Sequence, residues 1–310
     1  MRKLLLAVLV LAVIAAAVMW FLTAPGKLGE SAFANLSEPD LARGEEMFWA
    51  GGCASCHAAP GAKGDDKLVL AGGLEINSDF GTFYAPNISS DTTAGIGGWT
   101  FEQFANAMKK GTSPEGQHLY PSFPYTSYTR ISMSDLNDLW GYMKTLPASS
   151  NVAPDHALGF PFNIRRAVGL WNLLYLKDEP VITFNSPSDR LKRGRYLVEG
   201  PGHCGECHTP RTLIGGLKLG EWLAGAPNPD GKGIIPNVTP DGSIRSWSTG
   251  DISYYLESGF TPDFDTAGGS MVSVQENMAK LPASDREAIA EYLKAVPARP
   301  NGYPSPSKEN

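Results

Sequence analysis

The 310-residue chain lacks most features that mark a nucleic-acid-binding protein or a hydrolytic enzyme. Only 19% of its residues are charged, the formal net charge is −6, and no basic cluster stands out, so we expect no nucleic-acid partner. No Ser-His-Asp set, nucleotide-binding loop or flavin fingerprint is present, which leaves no candidate site for an organic substrate. Strand patterns of useful length are also missing, and 34 glycines with 24 prolines indicate short helices joined by long loops.

One long uncharged run lies at the N-terminus. Arg2 and Lys3 precede the uncharged, mostly apolar segment 4–24, which is long enough to cross a bilayer as a helix. A cleaved signal peptide has a shorter apolar core and a cleavage site close behind it, whereas Ala32-Phe33-Ala34 lies too far downstream. We therefore favour an uncleaved anchor over a signal for residues 1–24. Either interpretation exports the chain, because the basic residues stay in the cytoplasm.

Cysteine is scarce, and all four cysteines lie in two copies of one pattern. No cysteine is left for a structural disulfide, although the compartment would permit one. Three chemistries use C-x-x-C, namely a redox dithiol, a zinc site and the covalent attachment of haem c. The two C-x-x-C-H patterns contain Cys53, Cys56 and His57 in the first copy, and Cys204, Cys207 and His208 in the second.

The histidine directly after the second cysteine decides among these chemistries. On one helical turn two thiols can bond to the vinyl groups of a haem, and the next residue then directs its imidazole at the iron. Zinc would require the two distant pairs to converge and would leave the histidines unexplained. A thioredoxin-like dithiol needs a βαβ context, which is absent. We therefore predict two covalently bound haems c, with His57 and His208 as the proximal iron ligands.

The two motifs stand at matching places in an internal repeat, which predicts two copies of one structural unit. The recurring segments are 41–44 and 191–194, 86–89 and 236–239, Trp99 with Gly111, and Trp247 with Gly259. We predict a mainly α fold, with two tandem cytochrome c-type haem domains after an N-terminal transmembrane helix. The predicted boundaries are 38–150 and 187–299 for the domains, 151–186 for a linker rich in proline and aromatic residues, and 300–310 for a disordered tail.

Helix signals recur in both copies. Capping patterns at 37–40 and 186–189 predict the first helix of each copy. An apolar stripe at helical spacing, formed by Ile289, Tyr292, Leu293 and Val296, predicts the last helix of the second copy. The linker is expected to pack between the domains. The alternative is that Arg165 or Arg166 pairs with a haem propionate, which suits a planar bidentate donor.

An iron used only for electron transfer is usually closed by a sixth ligand, and a methionine sulfur there favours Fe(II). In the second copy Met271, in a glycine-rich loop, is the candidate, and Met278 is expected in the core. Phe123 aligns with Met271 in the first copy and cannot bind iron. The alternatives there are Met133, which we favour, His118 and an open iron.

His203 directly precedes Cys204, so its geometry makes it a poor distal ligand for its own haem. We expect it to be an ordinary loop residue.

Several segments resemble the cytochrome c subunits of membrane-bound alcohol and gluconate dehydrogenases, namely 86–88, 99–101, 119–125, 236–241 and 269–271. The likeness covers both copies. In that family a methionine often stands where Phe123 stands here, and some relatives with phenylalanine take a methionine further on. This chain has Ile131 at that further point and Met133 two residues beyond. Those subunits often carry a third haem, whereas this chain has two motifs.

The resemblance implies a c-type cytochrome that passes electrons from a periplasmic dehydrogenase towards the quinone pool or a terminal oxidase. We predict an electron carrier rather than an enzyme, held in the inner membrane by one span with its haem domains in the periplasm. The alternative is a dihaem oxidoreductase of the peroxidase or thiosulfate dehydrogenase type. That alternative requires one iron with a vacant sixth position, and Phe123 keeps it open.

Overall fold

The computed structural model describes residues 1–228 and 233–299, so the predicted tail at 300–310 lies outside the described residues. In this part of the chain the secondary structure is mainly α-helical, as predicted. Helix α1, Arg2–Leu22, coincides with the predicted anchor segment and buries none of its residues against the protein. By length and composition it is the one helix among the described residues that could cross a membrane.

Two groups of five helices follow each other in the same order, as expected for a repeated unit. The first unit contains α2 (Leu41–Ala50), α3 (Cys53–His57), α4 (Phe101–Lys110), α5 (Tyr125–Tyr128) and α6 (Met133–Met143). Helix α7 (Val168–Tyr175) lies between the units. The second unit contains α8 (Asp189–Glu199), α9 (Gly205–His208), α10 (Thr249–Ser258), α11 (Met271–Met278) and α12 (Ala283–Ala295).

Polar caps begin the first helix of each unit. The Asp40 carboxylate accepts the N–H of Arg43 at 3.1 Å before α2, and the Ser188 hydroxyl accepts the N–H of Leu191 at 3.0 Å before α8. These caps satisfy backbone donors that have no partner within the helix. The capping patterns in the sequence therefore place the starts of α2 and α8 to within a few residues.

Helices α4 and α10 explain a second pair of recurring residues. Both begin on a capping box, led by Thr100 in α4 and by Ser248 in α10. Both end at a glycine in the left-handed region, Gly111 with φ +59° and Gly259 with φ +80°. A side chain at such a position is strained, so each repeat retains a glycine where its helix stops.

The first and last helices of each unit cross at a glycine. A Cβ atom on Gly44 of α2 would lie 2.1 Å from the backbone oxygen of Asp138 in α6. A Cβ atom on Gly194 of α8 would lie 1.9 Å from the backbone oxygen of Ala288 in α12. Only glycine allows the two backbones to approach so closely.

One apolar core extends through both units, with Phe48 and Leu139 among its members in the first unit and Leu197 in the second. Because the core is continuous, the two units are packed against each other and are not independent domains joined by a linker. The predicted stripe on α12 is confirmed as part of this core. Its members Ile289, Tyr292, Leu293 and Val296 are all buried.

The sequence shows no strand pattern of useful length, but short strands form in both units. Strands β1 (Glu75–Ser78), β2 (Gly81–Tyr84) and β3 (Ala157–Leu158) form an antiparallel sheet in the order β1-β2-β3. Glu75 pairs with Tyr84 across the hairpin. Strand β3 comes from the linker and adds to the edge of the hairpin, so the linker is bound to the first unit by backbone hydrogen bonds.

A two-stranded pair lies in the second unit. Strand β4 (Ala226–Pro227) runs antiparallel to β5 (Ile234–Ile235). The strands of both sheets have two to four residues. Segments this short cannot show a period-two pattern, which is why the sequence does not reveal them.

The linker packs against both units, as its first interpretation predicts. At its start, the side-chain amide of Asn151 donates to the backbone oxygen of Ala71 at 2.7 Å. Near its end, the N–H of Val181 donates at 2.7 Å to the carboxylate of Glu199, which is buried in α8. The linker is therefore bound to the first unit at its start and to the second unit near its end.

The segment that follows α1 is bound along its length to the first unit. The backbone oxygen of Gly26 accepts from the Thr112 hydroxyl at 2.7 Å, and the N–H of Leu28 donates to the side chain of Asn106 at 2.7 Å. No free spacer separates α1 from the folded part of the chain at these residues.

Candidate functional site

Each C-x-x-C-H motif forms one helical turn directly after the first helix of its unit. Turn α3 follows α2 through Gly52, whose φ of +61° lets the chain reverse, and turn α9 follows α8 in the same way. Cysteines three residues apart on one turn direct both sulfurs to the same side. All four cysteines are free of disulfides. The structure therefore places the two cysteines and the histidine of each motif on one helical turn, as the spacing predicts.

The surroundings of the cysteines argue against the two competing chemistries. Burial raises the pKa of the Cys53 and Cys204 thiols to about 12, and the second cysteine of each motif adds to the rise. A reactive dithiol requires a lowered thiol pKa, so the redox interpretation does not fit. Across residues 1–228 and 233–299, no three His, Cys, Asp or Glu side chains converge into a metal-binding group, so the motifs form no shared zinc site.

Both motif histidines are oriented by the same backbone contact. Nδ1 of His57 lies 2.9 Å from the oxygen of Pro86, and Nδ1 of His208 lies 2.8 Å from the oxygen of Pro236. A carbonyl oxygen only accepts, so Nδ1 carries the proton and the lone pair of Nε2 is left for a metal. Burial lowers the pKa of both histidines, although the hydrogen bond to proline opposes this effect. Both imidazoles are therefore neutral, the form that binds iron.

A glycine behind each histidine holds the proline loop in place. The N–H of Gly72 donates to the oxygen of His57, and the N–H of Gly225 donates to the oxygen of His208, each at 2.7 Å. Both glycines have positive φ, and a Cβ atom on Gly72 would lie 2.5 Å from the backbone of Pro86. Sequence reasoning missed both residues. The recurrence of Leu-Ala-Gly at 70–72 and 223–225 is the signal that would have found them.

These features fit covalently bound haem c in both units. Each unit offers two free thiols on one turn for the vinyl groups and one neutral imidazole with an available Nε2. The proline carbonyl provides the outer contact that orients a metal-binding histidine. The set of donors is thus that of a haem attachment site and not that of a zinc site.

The predicted sixth ligands both begin helices. Met133 is the first residue of α6 and Met271 is the first residue of α11, and both are half-buried against the core. Met271 therefore starts a helix instead of lying in the expected glycine-rich loop. Met278, at the end of α11, is buried in the core as predicted. The assignment of Met133 and Met271 as iron ligands stays a prediction.

His118, the alternative ligand in the first unit, is instead held at the end of α1. It is buried, with Nε2 at 2.8 Å from the backbone oxygen of Thr23 and Nδ1 at 3.4 Å from the amide nitrogen of Asn172. The oxygen of the same amide accepts from the Tyr125 hydroxyl at 2.7 Å, which directs the NH₂ group at His118. Both ring nitrogens thus have partners, so His118 joins α1 to α7 and is not free to bind iron.

The two linker arginines have partners at the same junction. The guanidinium of Arg165 lies 4.6 Å from the ring centre of Tyr120 and donates to the oxygen of His118 at 3.2 Å. The guanidinium of Arg166 lies 4.2 Å from the ring of Trp20 in α1 and donates to the Trp20 oxygen. These contacts support the linker interpretation and give no support to pairing with a haem propionate.

The two motif turns contact each other's units reciprocally. The Ser55 hydroxyl, in the middle of the first motif, accepts from the side-chain amide of Asn277 in α11 at 2.8 Å. Glu206, the equivalent residue of the second motif, accepts from the Ser127 hydroxyl in α5 at 2.8 Å and from the Thr126 hydroxyl at 3.1 Å. Each motif is therefore bound to the segment before the last helix of the other unit, which fixes the separation of the two turns.

Glu206 keeps its charge in this contact. Burial would raise the pKa of its carboxyl, but the Arg211 guanidinium at 2.7 Å and the hydrogen bond from Ser127 outweigh burial and leave the pKa lowered. The interface thus contains an ionised carboxylate on one side and a neutral hydroxyl, that of Ser55, on the other.

Two aromatic side chains complete the junction between the motifs. The Tyr128 hydroxyl donates to the oxygen of Gly51 at 2.8 Å, and its ring meets that of His203 edge-on, with the centroids 5.6 Å apart. His203 was expected to be an ordinary loop residue, but the structure places it between the two motifs. It occupies the position of Gly52 in the repeat and has φ +37°. A histidine replacing a glycine in a repeat is the signal that could have identified it.

The family model described as Cytochrome c matches residues 41–147, which contain the first unit. This match agrees with the attachment geometry of the first motif.

Relatives extend the similarity over most of the chain. A diheme cytochrome c-type protein of Cereibacter sphaeroides is 52% identical over 298 residues, which cover 96% of this chain and 99% of that protein. The fructose dehydrogenase cytochrome subunit of Gluconobacter japonicus is 37% identical over 86% of this chain. The alcohol dehydrogenase (quinone) cytochrome c subunit of Gluconobacter oxydans is 34% identical over 86% of this chain. The chain spans 54% and 57% of the length of these two subunits.

These findings confirm the resemblance to cytochrome c subunits of membrane-bound dehydrogenases. They agree with the two attachment turns and with the neutral, oriented histidine of each. The chain belongs to the family of c-type cytochromes that contains the diheme protein of Cereibacter sphaeroides.

Proposed function

We propose that the chain is a membrane-anchored dihaem cytochrome c that carries electrons from a periplasmic dehydrogenase to a respiratory acceptor. The observation that carries this proposal is the duplicated attachment turn, in which His57 and His208 make the same contact with a proline carbonyl. Ser55 and Glu206 bind each turn to a helix of the other unit, which supports electron transfer within one chain.

When bound, haem c supplies a one-electron Fe(III)/Fe(II) couple, and the chain supplies attachment, ligand orientation and shielding from water. We propose that residues 38–150 and 187–299 each form one haem domain. The proposed attachment residues are Cys53, Cys56, Cys204 and Cys207, and the proposed iron ligands are His57 with Met133 and His208 with Met271.

Helix α1 supports a single-pass anchor. Its 21 residues span about 30 Å, the thickness of the hydrocarbon layer. Arg2 and Lys3 favour a cytoplasmic N-terminus, which places both units in the periplasm. Extraction of the full-length protein from membranes by alkaline carbonate tests the anchor, because an integral protein stays in the pellet and a cleaved one is released.

The names of the relatives support the proposed partners. One relative is a cytochrome subunit of fructose dehydrogenase, and another belongs to an alcohol dehydrogenase that uses quinone. We therefore propose a periplasmic dehydrogenase as the electron donor and the quinone pool as the acceptor, with a terminal oxidase as the other acceptor to be tested.

Haem content is tested on holoprotein produced with the cytochrome c maturation machinery. We expect pigment that survives acid–acetone extraction and a mass that corresponds to two haems on one chain. The paired variant Cys53→Ala/Cys56→Ala should keep one haem, and Cys204→Ala/Cys207→Ala should keep the other. Pigment that is extracted by acid–acetone would refute covalent attachment.

The sixth ligands are tested by optical spectra of the oxidised protein. Met133→Ala and Met271→Ala should each convert one haem from low to high spin, whereas the core variant Met278→Leu should leave both haems low-spin. If both haems stay low-spin in Met133→Ala, the assignment of Met133 is wrong.

Electron transfer is tested by adding the holoprotein to membranes that contain periplasmic dehydrogenases, together with a sugar or an alcohol. We expect both haems to become reduced in a substrate-dependent way and to be reoxidised by a quinone. A haem that binds cyanide readily in the unmodified protein and turns over peroxide would favour the oxidoreductase alternative instead.

A further inference from the structure

The linker exposes a run of large apolar side chains that the electron-transfer site does not explain. Between residues 160 and 174, six such side chains are 43% to 82% exposed. Several large exposed apolar side chains on one short segment favour a contact with a membrane or another protein. We name these residues the linker face. They are Phe160, Phe162, Ile164, Leu170, Leu173 and Leu174.

The linker face is fixed to the end of the proposed membrane span. Helix α7 is so close to α1 that a Cβ atom on Gly169 would lie 2.3 Å from the oxygen of Thr23. His118 bonds to Thr23 and approaches the Asn172 amide of α7, and Arg166 binds Trp20. The apolar side chains of α7 therefore lie where α1 would leave the bilayer.

A loop of the second unit continues this surface. Leu213 and Ile214 are 100% and 50% exposed, and the oxygen of Ile214 accepts from the indole N–H of Trp171 in α7 at 2.8 Å. The ring of Phe80 lies 4.8 Å from that of Phe162, so the turn of the β1-β2 hairpin borders the same surface. Parts of both units thus share one apolar side with the linker.

The middle of the linker contains basic side chains and no acidic ones. Residues 156–177 contain Arg165, Arg166 and Lys177 and no aspartate or glutamate, whereas the whole linker, 151–186, is neutral because Asp155, Asp178 and Glu179 flank that stretch. Exposed apolar side chains combined with basic residues are typical of segments that lie in the headgroup region of a bilayer. A docking protein would also cover apolar side chains, but the continuity with α1 favours lipid.

We propose that the linker face lies on the phospholipid bilayer, at the boundary between the headgroups and the acyl chains. This inference rests on the proposed function of α1 as an anchor. The contact fixes the orientation of both units on the membrane, because α7 is bound to the first unit through His118 and to the second through Ile214.

The test uses full-length holoprotein in nanodiscs of phosphatidylethanolamine and phosphatidylglycerol, with a phospholipid that carries a photoactivated carbene group. Labelled peptides are identified by mass spectrometry. We expect label on α1 and on peptides that cover 159–176 and 212–215. In the variant Leu170→Glu/Leu174→Glu, label on 159–176 should fall several-fold while label on α1 and both haem spectra stay unchanged.

The control is Phe264→Glu, which changes an apolar side chain in the loop after α10 that is even more exposed, at 88%, and should not alter the label on 159–176. Label confined to α1 would overturn the inference and leave the anchor intact. Absence of label from α1 would refute the anchor itself, so the two failures are distinguishable.

Discussion

Replacing Glu206 by alanine should destabilise the holoprotein more than replacing Ser55, although both side chains reach across the same junction. Each accepts a hydrogen bond of 2.8 Å from the other unit, Glu206 from Ser127 and Ser55 from Asn277. The two contacts match in length and in position within the repeat. They differ in charge, because the lowered pKa of Glu206 leaves it ionised.

The magnitudes follow from the contacts. A hydrogen bond to a charged group contributes about 1.5–3 kcal/mol to stability, and one between neutral groups about 0.5–1.5 kcal/mol. Glu206 accepts from Ser127 and also from Thr126, and Ser127 is only 2% exposed, so its hydroxyl finds no water as a substitute. We expect a loss of about 3 kcal/mol for Glu206→Ala and about 1 kcal/mol for Ser55→Ala.

Arg211, the other partner of Glu206, is 40% exposed, so hydration limits its share of the loss. The conservative variant Glu206→Gln keeps an acceptor for Ser127 and should recover about half of the stability.

The assay is urea unfolding of the holoprotein at neutral pH, followed through the haem absorption and far-ultraviolet circular dichroism. Two double-mutant cycles, Glu206→Ala with Ser127→Ala and Ser55→Ala with Asn277→Ala, isolate the pairwise energies. We expect coupling energies of about 2 and about 1 kcal/mol, respectively. Equal coupling energies in the two cycles would refute the argument that charge distinguishes the two sides.

Three further predictions concern the helix crossings, the end of α1 and the second proline loop. Gly194→Ala should cost about 1–3 kcal/mol of stability, because its Cβ would overlap the backbone of α12. The control Gly220→Ala, whose Cβ would have no atom within 4 Å, should change stability by less than about 0.5 kcal/mol. Equal melting temperatures for the two variants would contradict this prediction. Burial lowers the pKa of His118, and the charge of Arg166 lowers it further, although the hydrogen bond to Thr23 at the end of α1 opposes both effects. The neutral imidazole therefore contributes stability above pH ~6.5, and this stability should be lost as the pH falls through the pKa of the folded state. In urea titrations, His118→Gln should reduce the loss of unfolding free energy between about pH 7 and 5. An unchanged pH dependence in this variant would contradict the prediction. Gly225→Ala, at φ +84°, should cost about 1–2 kcal/mol and shift the absorption of only the second haem, and a shift in both haems would show that its effect is not local.

The features that the sequence predicts are those set by local spacing. Cys53, Cys56 and His57 meet because they share one helical turn, and the stripe containing Ile289 is buried because helical periodicity places it on one face. Because the unit is duplicated, a local feature that recurs at equivalent positions of both copies can be recognised with more certainty than one that occurs once. The recurring glycines Gly111 and Gly259 show this, since both mark the end of a helix.

The features that the sequence does not reveal depend on contacts between distant segments. Ser55 meets Asn277 across 222 residues, and no local pattern relates them. The sequence leaves His118 open as an iron ligand because it lies in a loop of the first unit, but its burial against Thr23 and Asn172 depends on where α1 and α7 dock. Such docking depends on the shapes and buried surfaces of the helices, and residue spacing along the chain does not predict either of them.

The binding of α1 and its following segment to the first unit has a consequence for how the protein meets its partners. A cytochrome that is joined to its membrane helix by a long flexible linker can move between a donor and an acceptor that are some distance apart. Here Gly26 and Leu28 are hydrogen-bonded to the first unit, and His118 is hydrogen-bonded to the end of α1, so the connection allows no such movement. With α1 as the proposed anchor, electrons would enter and leave at surfaces that stay at a constant height above the membrane. That arrangement suits a permanent subunit of a larger assembly better than a diffusing carrier.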